Sequence, residues 1–352
     1  MIKIKLYGLA SLLLVAVFVP VSWANAALAD TALADKQNLA DLYASPGPFQ
    51  VKQELGVWQD AQRDNRQVPY KLYYPADRKD KTPIVVWSHG VFGSRESASY
   101  LGEHLASHGI AAVHLQHPGT DASLIEPDTG KLGKLWAFMK MMRDKETFIL
   151  RFADPRFVVD QLKQFAASGG GNGMLDTQRM GMAGHSLGAI TTMAVAGQKF
   201  DSTAHFAIPE FKGAMVMSPS GKDPENKFDD MLMPIFHFTG TDDDSVARDF
   251  EPEDRKVIFD AIDDQDQYFL NLDKAVHMTF TGKQIEEDPY LDEHLKVIKM
   301  AAVSYWKMVL GQDQKAQVWL QSDGLANGLA AGDHFQFKAR QLAEHQKDKH
   351  QP

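Results

Sequence analysis

Two hydrophobic rhythms take turns along this chain. Residues 51–58 and 68–74 read as strands, and the polar turn 60–67 between them predicts an antiparallel pair. Residues 83–88, 110–115, 179–183, 213–217, 234–239 and 267–272 are short, largely apolar runs, the pattern of strands buried within a sheet. Helical segments occupy 97–108, 157–165, 189–196 and 291–310. Strands and helices in this order predict one large α/β domain over residues 49–310, long enough to bury its own core.

The rhythm fails in four places. Residues 1–26 carry Lys3 and Lys5, an apolar run over 6–19 and the small-residue triplet Ala24-Asn25-Ala26, which together predict a secretory signal peptide. Ala27-Leu28-Ala29 offers a second cleavage site, and the apolar run is shorter than the roughly 20 residues a membrane span needs. Residues 27–48 repeat ALAD, ALAD, NLAD and read as a flexible leader ending at Ser45-Pro46-Gly47-Pro48. Residues 120–154 contain LGKLWAFMKMM at 132–142, rich in Met and aromatics. That stretch fits either a small helical cap whose apolar side meets an acyl pocket or a lipid surface, or a helix packed on the sheet. Residues 311–352 are polar apart from a helix near 316–320, and the last dozen read as disordered.

Composition narrows the setting. The formal net charge is −9, and loss of Lys3 and Lys5 with the signal peptide takes it to −11. Such an acidic chain repels nucleic acid, and it has no basic arm or phosphate-cradling loop. Having no cysteine, it can carry neither disulfides nor the lipid anchor that needs a cysteine at the cleavage point. The expected location is periplasmic or secreted.

The chemistry centres on Gly184-His185-Ser186-Leu187-Gly188, a G-x-S-x-G turn between the 179–183 strand and the 189–196 helix. A sharp corner of this kind lifts a serine above the sheet, which makes Ser186 the candidate nucleophile. An acyl-transfer nucleophile needs N–H donors aimed at the developing oxyanion. One belongs to the residue after the nucleophile, Leu187, and the other to the loop His89-Gly90-Val91 after an early strand, at Val91. His114 and His117 lie three apart at a strand end without a third ligand nearby, and are read as hydrogen-bonding loop backbone rather than metal. The strand 234–239 ends in Gly240-Thr241-Asp242-Asp243-Asp244, where a triad acid belongs; Asp243 has the usual offset, with Asp242 and Asp244 as alternatives. His277, in a loop just after the last strand, is the candidate general base; His237 sits inside a strand, His294 inside a helix, and His334, His345 and His350 in the tail.

With these residues in place the chain resembles the α/β-hydrolase superfamily, and within it bacterial proteins related to dienelactone hydrolases and platelet-activating-factor acetylhydrolases. The stretches that carry the likeness are WSHGVFGSRES, YLGEHLASHGIAAVHLQHPG, MAGHSLGAITTMAVAG, FTGTDDDS and AVHMTF. The resemblance implies an eight-stranded, mostly parallel sheet flanked by helices, no cofactor, and hydrolysis of carboxylic esters. Two features depart from it: Ser218 stands where animal platelet-activating-factor acetylhydrolases carry the acid, and the cysteine nucleophile of dienelactone hydrolases is absent. The expected activity is that of an exported serine esterase acting on short or medium acyl chains. The alternatives are a lipase or phospholipid deacylase touching lipid through 132–142, an amidase or peptidase, and a non-catalytic binding protein on the same fold.

Overall fold

The computed structural model describes residues 38–126, 128–200, 205–220, 228–244 and 251–341, so the expected signal peptide and most of the leader lie outside the described residues. After a short helix α1 (residues 38–44) come strands β1 (Val51–Asp60), β2 (Arg66–Pro75) and β3 (Thr82–Ser88). Helix α2 (Ser99–Ser107), strand β4 (Ala111–Leu115) and helices α3 (Lys131–Arg143) and α4 (Lys145–Ala167) follow. Then come β5 (Leu175–His185), α5 (Leu187–Ala196), β6 (Phe211–Met217), β7 (Ile235–Asp242), α6 (Val257–Ala261), β8 (Gln267–Val276), α7 (Leu291–Gly311), α8 (Gln314–Gln321) and β9 (His334–Lys338).

All nine strands join one sheet in the order β1-β2-β4-β3-β5-β6-β7-β8-β9. From β4 to β8 every pairing is parallel, while β1, β2 and β9 run antiparallel to their neighbours. Side chains alternate across a strand. Val85, Trp87, Met215 and Phe236 therefore face a core with α2, α7 and α8, whereas Ile84, Val86, Ala214 and Ile235 face a second core with α4, α5 and α6. Both faces of β3 and β4 are covered, which is why these strands read as unbroken apolar runs. Among the described residues no helix is long and apolar enough to cross a membrane.

Three expectations need correction. The sheet has nine strands rather than eight: in β9 only Phe335 and Phe337 are apolar, but they pack on the core, with Phe337 stacked 5.0 Å from Tyr268. The leader is ordered at its described end. Tyr43 is buried edge-on against Trp319 at 5.4 Å, and the His104 and His108 rings contact the carbonyls of Tyr43 and Ser45 at 2.7 and 2.9 Å. The 120–154 insertion does not end at a structural boundary either, because α4 runs unbroken from Lys145 to Ala167 through Pro155. Of the two helices in this region, only α4 packs extensively on the sheet. Helix α3 buries only Met141 and exposes Leu132, Leu135, Trp136, Met139 and Met142.

Burial also sets the acid stability of the fold. Desolvation pushes the imidazoles of His104, His117 and His237 down to about 4, and those of His114 and His185 to about 3. Below about pH 6.5 the unfolded chain protonates these groups while the folded one holds them neutral. Protons then favour unfolding, so this stability is present above pH 6.5 and is lost as the pH falls toward 3. The thermal midpoint is expected to drop steadily from pH 6.5 to pH 4; a flat midpoint over that range, measured by circular dichroism, would contradict the linkage.

Candidate active site

Strand β5 delivers Ser186 into a tight corner before α5. Ser186 adopts φ 56° and ψ −118°, a conformation that costs a non-glycine residue about 1–3 kcal/mol. Its N–H is tied to the Met217 carbonyl of β6 at 2.9 Å. The flanking glycines are required by contact: a Cβ at Gly184 would lie 2.3 Å from the Gly188 carbonyl oxygen, and one at Gly188 would lie 1.9 Å from that of Ser88.

The loop after β3 comes up beside this corner, and a Cβ on Gly90 would stand 3.2 Å from Ser186 Cβ. Phe92, at φ 59°, gives its N–H to the Thr120 carbonyl at 2.9 Å. Among the described residues neither the Val91 nor the Leu187 N–H has a protein acceptor.

Across the corner, β8 ends at Val276 and His277 follows at once. His277 Nδ1 lies 2.9 Å from Asp243 Oδ1, and Nε2 has no hydrogen-bond partner among the described residues. Asp243 is fully buried, while Asp242 and Asp244 are exposed, so only the middle aspartate meets the imidazole. Desolvation would raise the Asp243 pKa, but the His277 hydrogen bond and the nearby Arg255 charge outweigh it and hold the carboxyl below its ordinary value. The structure thus joins Asp243 to His277 directly. It brings Ser186 alongside through His185, whose Nε2 lies 2.8 Å from the His277 carbonyl oxygen and whose ring is 4.7 Å from that of His277. A Ser186–His277 side-chain hydrogen bond is not among those formed by the described residues, and nucleophile–base contacts are commonly long before substrate binds.

Several supporting residues escaped sequence reasoning. Arg255, fully buried in the 3₁₀ turn Pro252–Lys256, lies 2.8 Å from Asp243 Oδ1 and donates to the carbonyls of Asp243, Ser218 and Pro219. It fastens the ends of β6 and β7 together, and nothing in the polar stretch PEDRK announces it. Thr279, bonded to Asp288, accepts the Val276 N–H at 3.0 Å, and Asp288 pairs with His294 at 3.0 Å. His294 therefore braces the loop that carries His277. His114 bonds the Ser97 backbone at 3.0 Å, as expected, but His117 bonds side chains instead, Asp154 and Ser88. Among the described residues no three His, Asp or Glu converge as metal ligands.

A mostly parallel sheet with a strained serine corner between strand and helix, and an Asp–His pair after later strand ends, gives this chain the α/β-hydrolase fold. Residues 50–164 match the family of platelet-activating factor acetylhydrolase, isoform II. Cutinase est1 of Thermobifida alba is 25% identical over 247 residues, 69% of each chain. Platelet-activating factor acetylhydrolase of Cavia porcellus is 20% identical over 303 residues, 76% of this chain and 64% of the relative. Cutinase 2 of Thermobifida cellulosilytica is 25% identical over 178 residues, 51% of this chain and 53% of its own. The likeness to the platelet-activating factor acetylhydrolase family thus covers β1 to the C-terminal part of α4, about a third of the chain.

Proposed function

We propose that the chain is an exported serine esterase that cleaves short or medium acyl esters through an acyl-enzyme on Ser186. Ser186 Oγ attacks the ester carbonyl carbon as its proton passes to His277 Nε2. Asp243 keeps Nδ1–H toward itself and stabilises the imidazolium, and the Val91 and Leu187 N–H groups receive the oxyanion. Collapse breaks the bond to the alcohol, which leaves with the proton from His277. Water then attacks the acyl-enzyme by the same relay, releasing the acid and regenerating Ser186.

The observation that carries this reading is the 2.9 Å Asp243–His277 contact, held against the strained Ser186 corner by His185. Relatives named cutinase and platelet-activating factor acetylhydrolase support an ester as the substrate. Export is supported by Lys3, Lys5, the apolar run 6–19 and Ala24-Asn25-Ala26. The test pairs fluorophosphonate labelling with hydrolysis of p-nitrophenyl esters and anilides. Labelling with ester cleavage is expected, and cleavage confined to anilides would make it an amidase.

A second reading, contact with aggregated lipid, is favoured by α3. Leu132, Leu135, Trp136, Met139 and Met142 recur at helical spacing and are all exposed, and the Lys140 ammonium sits 5.5 Å from the Trp136 ring centre. Such a stripe suits an interface into which apolar side chains sink while lysines reach for water. Trp136→Glu is expected to lower hydrolysis of micellar esters about 10-fold, the loss of one buried aromatic, and to leave monomeric p-nitrophenyl butyrate unaffected. Equal rates for both proteins on micelles would count against lipid contact.

A further inference from the structure

Beneath the oxyanion loop lies a buried polar cluster with no part in the chemistry above. Ser88 at the end of β3, His117 after β4 and Asp154 in α4 form a hydroxyl–imidazole–carboxylate chain, with Ser88 Oγ 2.9 Å from His117 Nε2 and His117 Nδ1 2.8 Å from Asp154 Oδ2. The order of groups repeats that of Asp243 and His277 with Ser186. All three are fully buried, and the Ser88 hydroxyl also accepts from Arg151, so no substrate reaches it. Asp154 is in turn held by Arg63 and Arg66, each at 2.8 Å.

Arg151 is the hub. Its guanidinium is fully buried and donates to Ser88 Oγ and Thr191 Oγ1, both at 2.9 Å, and to the His89 carbonyl and Thr120 Oγ1. These acceptors belong to both halves of the oxyanion site. Ser88 and His89 run directly into Gly90 and Val91, and the Thr120 carbonyl takes the Phe92 N–H. Thr191 lies one turn along α5 from Leu187, and its hydroxyl bonds the Leu187 carbonyl at 3.0 Å. Every acceptor of Arg151 is neutral, and among the described residues no carboxylate comes within 4.0 Å of its nitrogens. Desolvation lowers its pKa to about 9, against the pull of Asp154, which leaves it cationic at neutral pH.

We propose that Arg151 is a positioning residue for the oxyanion hole, clamping the Val91 loop to the elbow helix so that both N–H groups point at one site. This rests on the serine esterase reading. A core arginine without this role would affect folding; a clamp affects the bound tetrahedral species more than the bound ester, because only the former carries the oxyanion.

The experiment compares wild type with Arg151→Lys, Thr191→Val and Thr191→Ser, measuring kcat and KM on p-nitrophenyl butyrate, the inhibition constant of a trifluoromethyl ketone, and the thermal midpoint. Thr191→Val removes one bond to the clamp and keeps the side chain's shape, so it serves even if Arg151→Lys does not fold. Expected are a kcat loss of about 10-fold for Thr191→Val and about 100-fold for Arg151→Lys, with KM little changed. The ketone should weaken by the same factors, and Thr191→Ser should restore both values. Folded variants that keep wild-type kcat and ketone affinity would overturn the clamp. So would kcat losses matched only by lost folded protein, with ketone affinity per active site unchanged. Wild type that resists both the ketone and fluorophosphonate would overturn the esterase reading, and the clamp with it.

Discussion

Ser186→Ala is expected to cut kcat on p-nitrophenyl esters by about five to six orders of magnitude and to abolish fluorophosphonate labelling. The substitution removes the one oxygen that forms the covalent bond and leaves the corner intact, since the strain at φ 56° is in the backbone and alanine has a Cβ as serine does. Folding should therefore be unaffected, and the thermal midpoint should stay near that of wild type. Residual hydrolysis above buffer would report what the Val91 and Leu187 N–H groups achieve without a nucleophile. If labelling persisted in the alanine variant, another residue would be the nucleophile and the reading of the site would be wrong.

Asp243→Asn is expected to lower kcat by about 10⁴-fold. An amide in place of the carboxylate no longer dictates which imidazole nitrogen carries the proton, nor does it stabilise the imidazolium. Stability should fall as well, by a few kcal/mol, because the fully buried carboxylate that faces Arg255 is gone. Asp242→Asn and Asp244→Asn change exposed groups and should leave both quantities alone. Rate profiles and melting curves on the three asparagine variants decide the matter, and a large rate loss at Asp242 or Asp244 instead would reassign the acid.

What could be read from the sequence was what local backbone geometry dictates. Gly184 and Gly188 mark the corner because neither position has room for a Cβ. The parallel strands announced themselves because burial on both faces leaves little but apolar residues. Asp243 and His277 were read from their offsets from strand ends, and the structure brings those two side chains together at 2.9 Å. The rest depends on partners distant along the chain. Arg151 meets Ser88 from 63 residues away, and Arg255 meets the Ser218 carbonyl from 37 residues away. In a sequence, such arginines look like solvated charges. Tyr43 of the leader and Phe335 and Phe337 of β9 were missed for the same reason, since a few apolar residues in a polar stretch show no period until the surface that receives them is known.

Helix α3 stands in the crossover between β4 and β5, where it contributes no rung to the sheet and only Met141 to the interior. Ser186, Asp243 and His277 stand on the ends of β5, β7 and β8, outside that helix. A lineage could therefore lengthen, recharge or discard that helix and inherit its reaction unaltered, so substrate choice on this scaffold is free to drift while the bond-breaking apparatus stays under constraint.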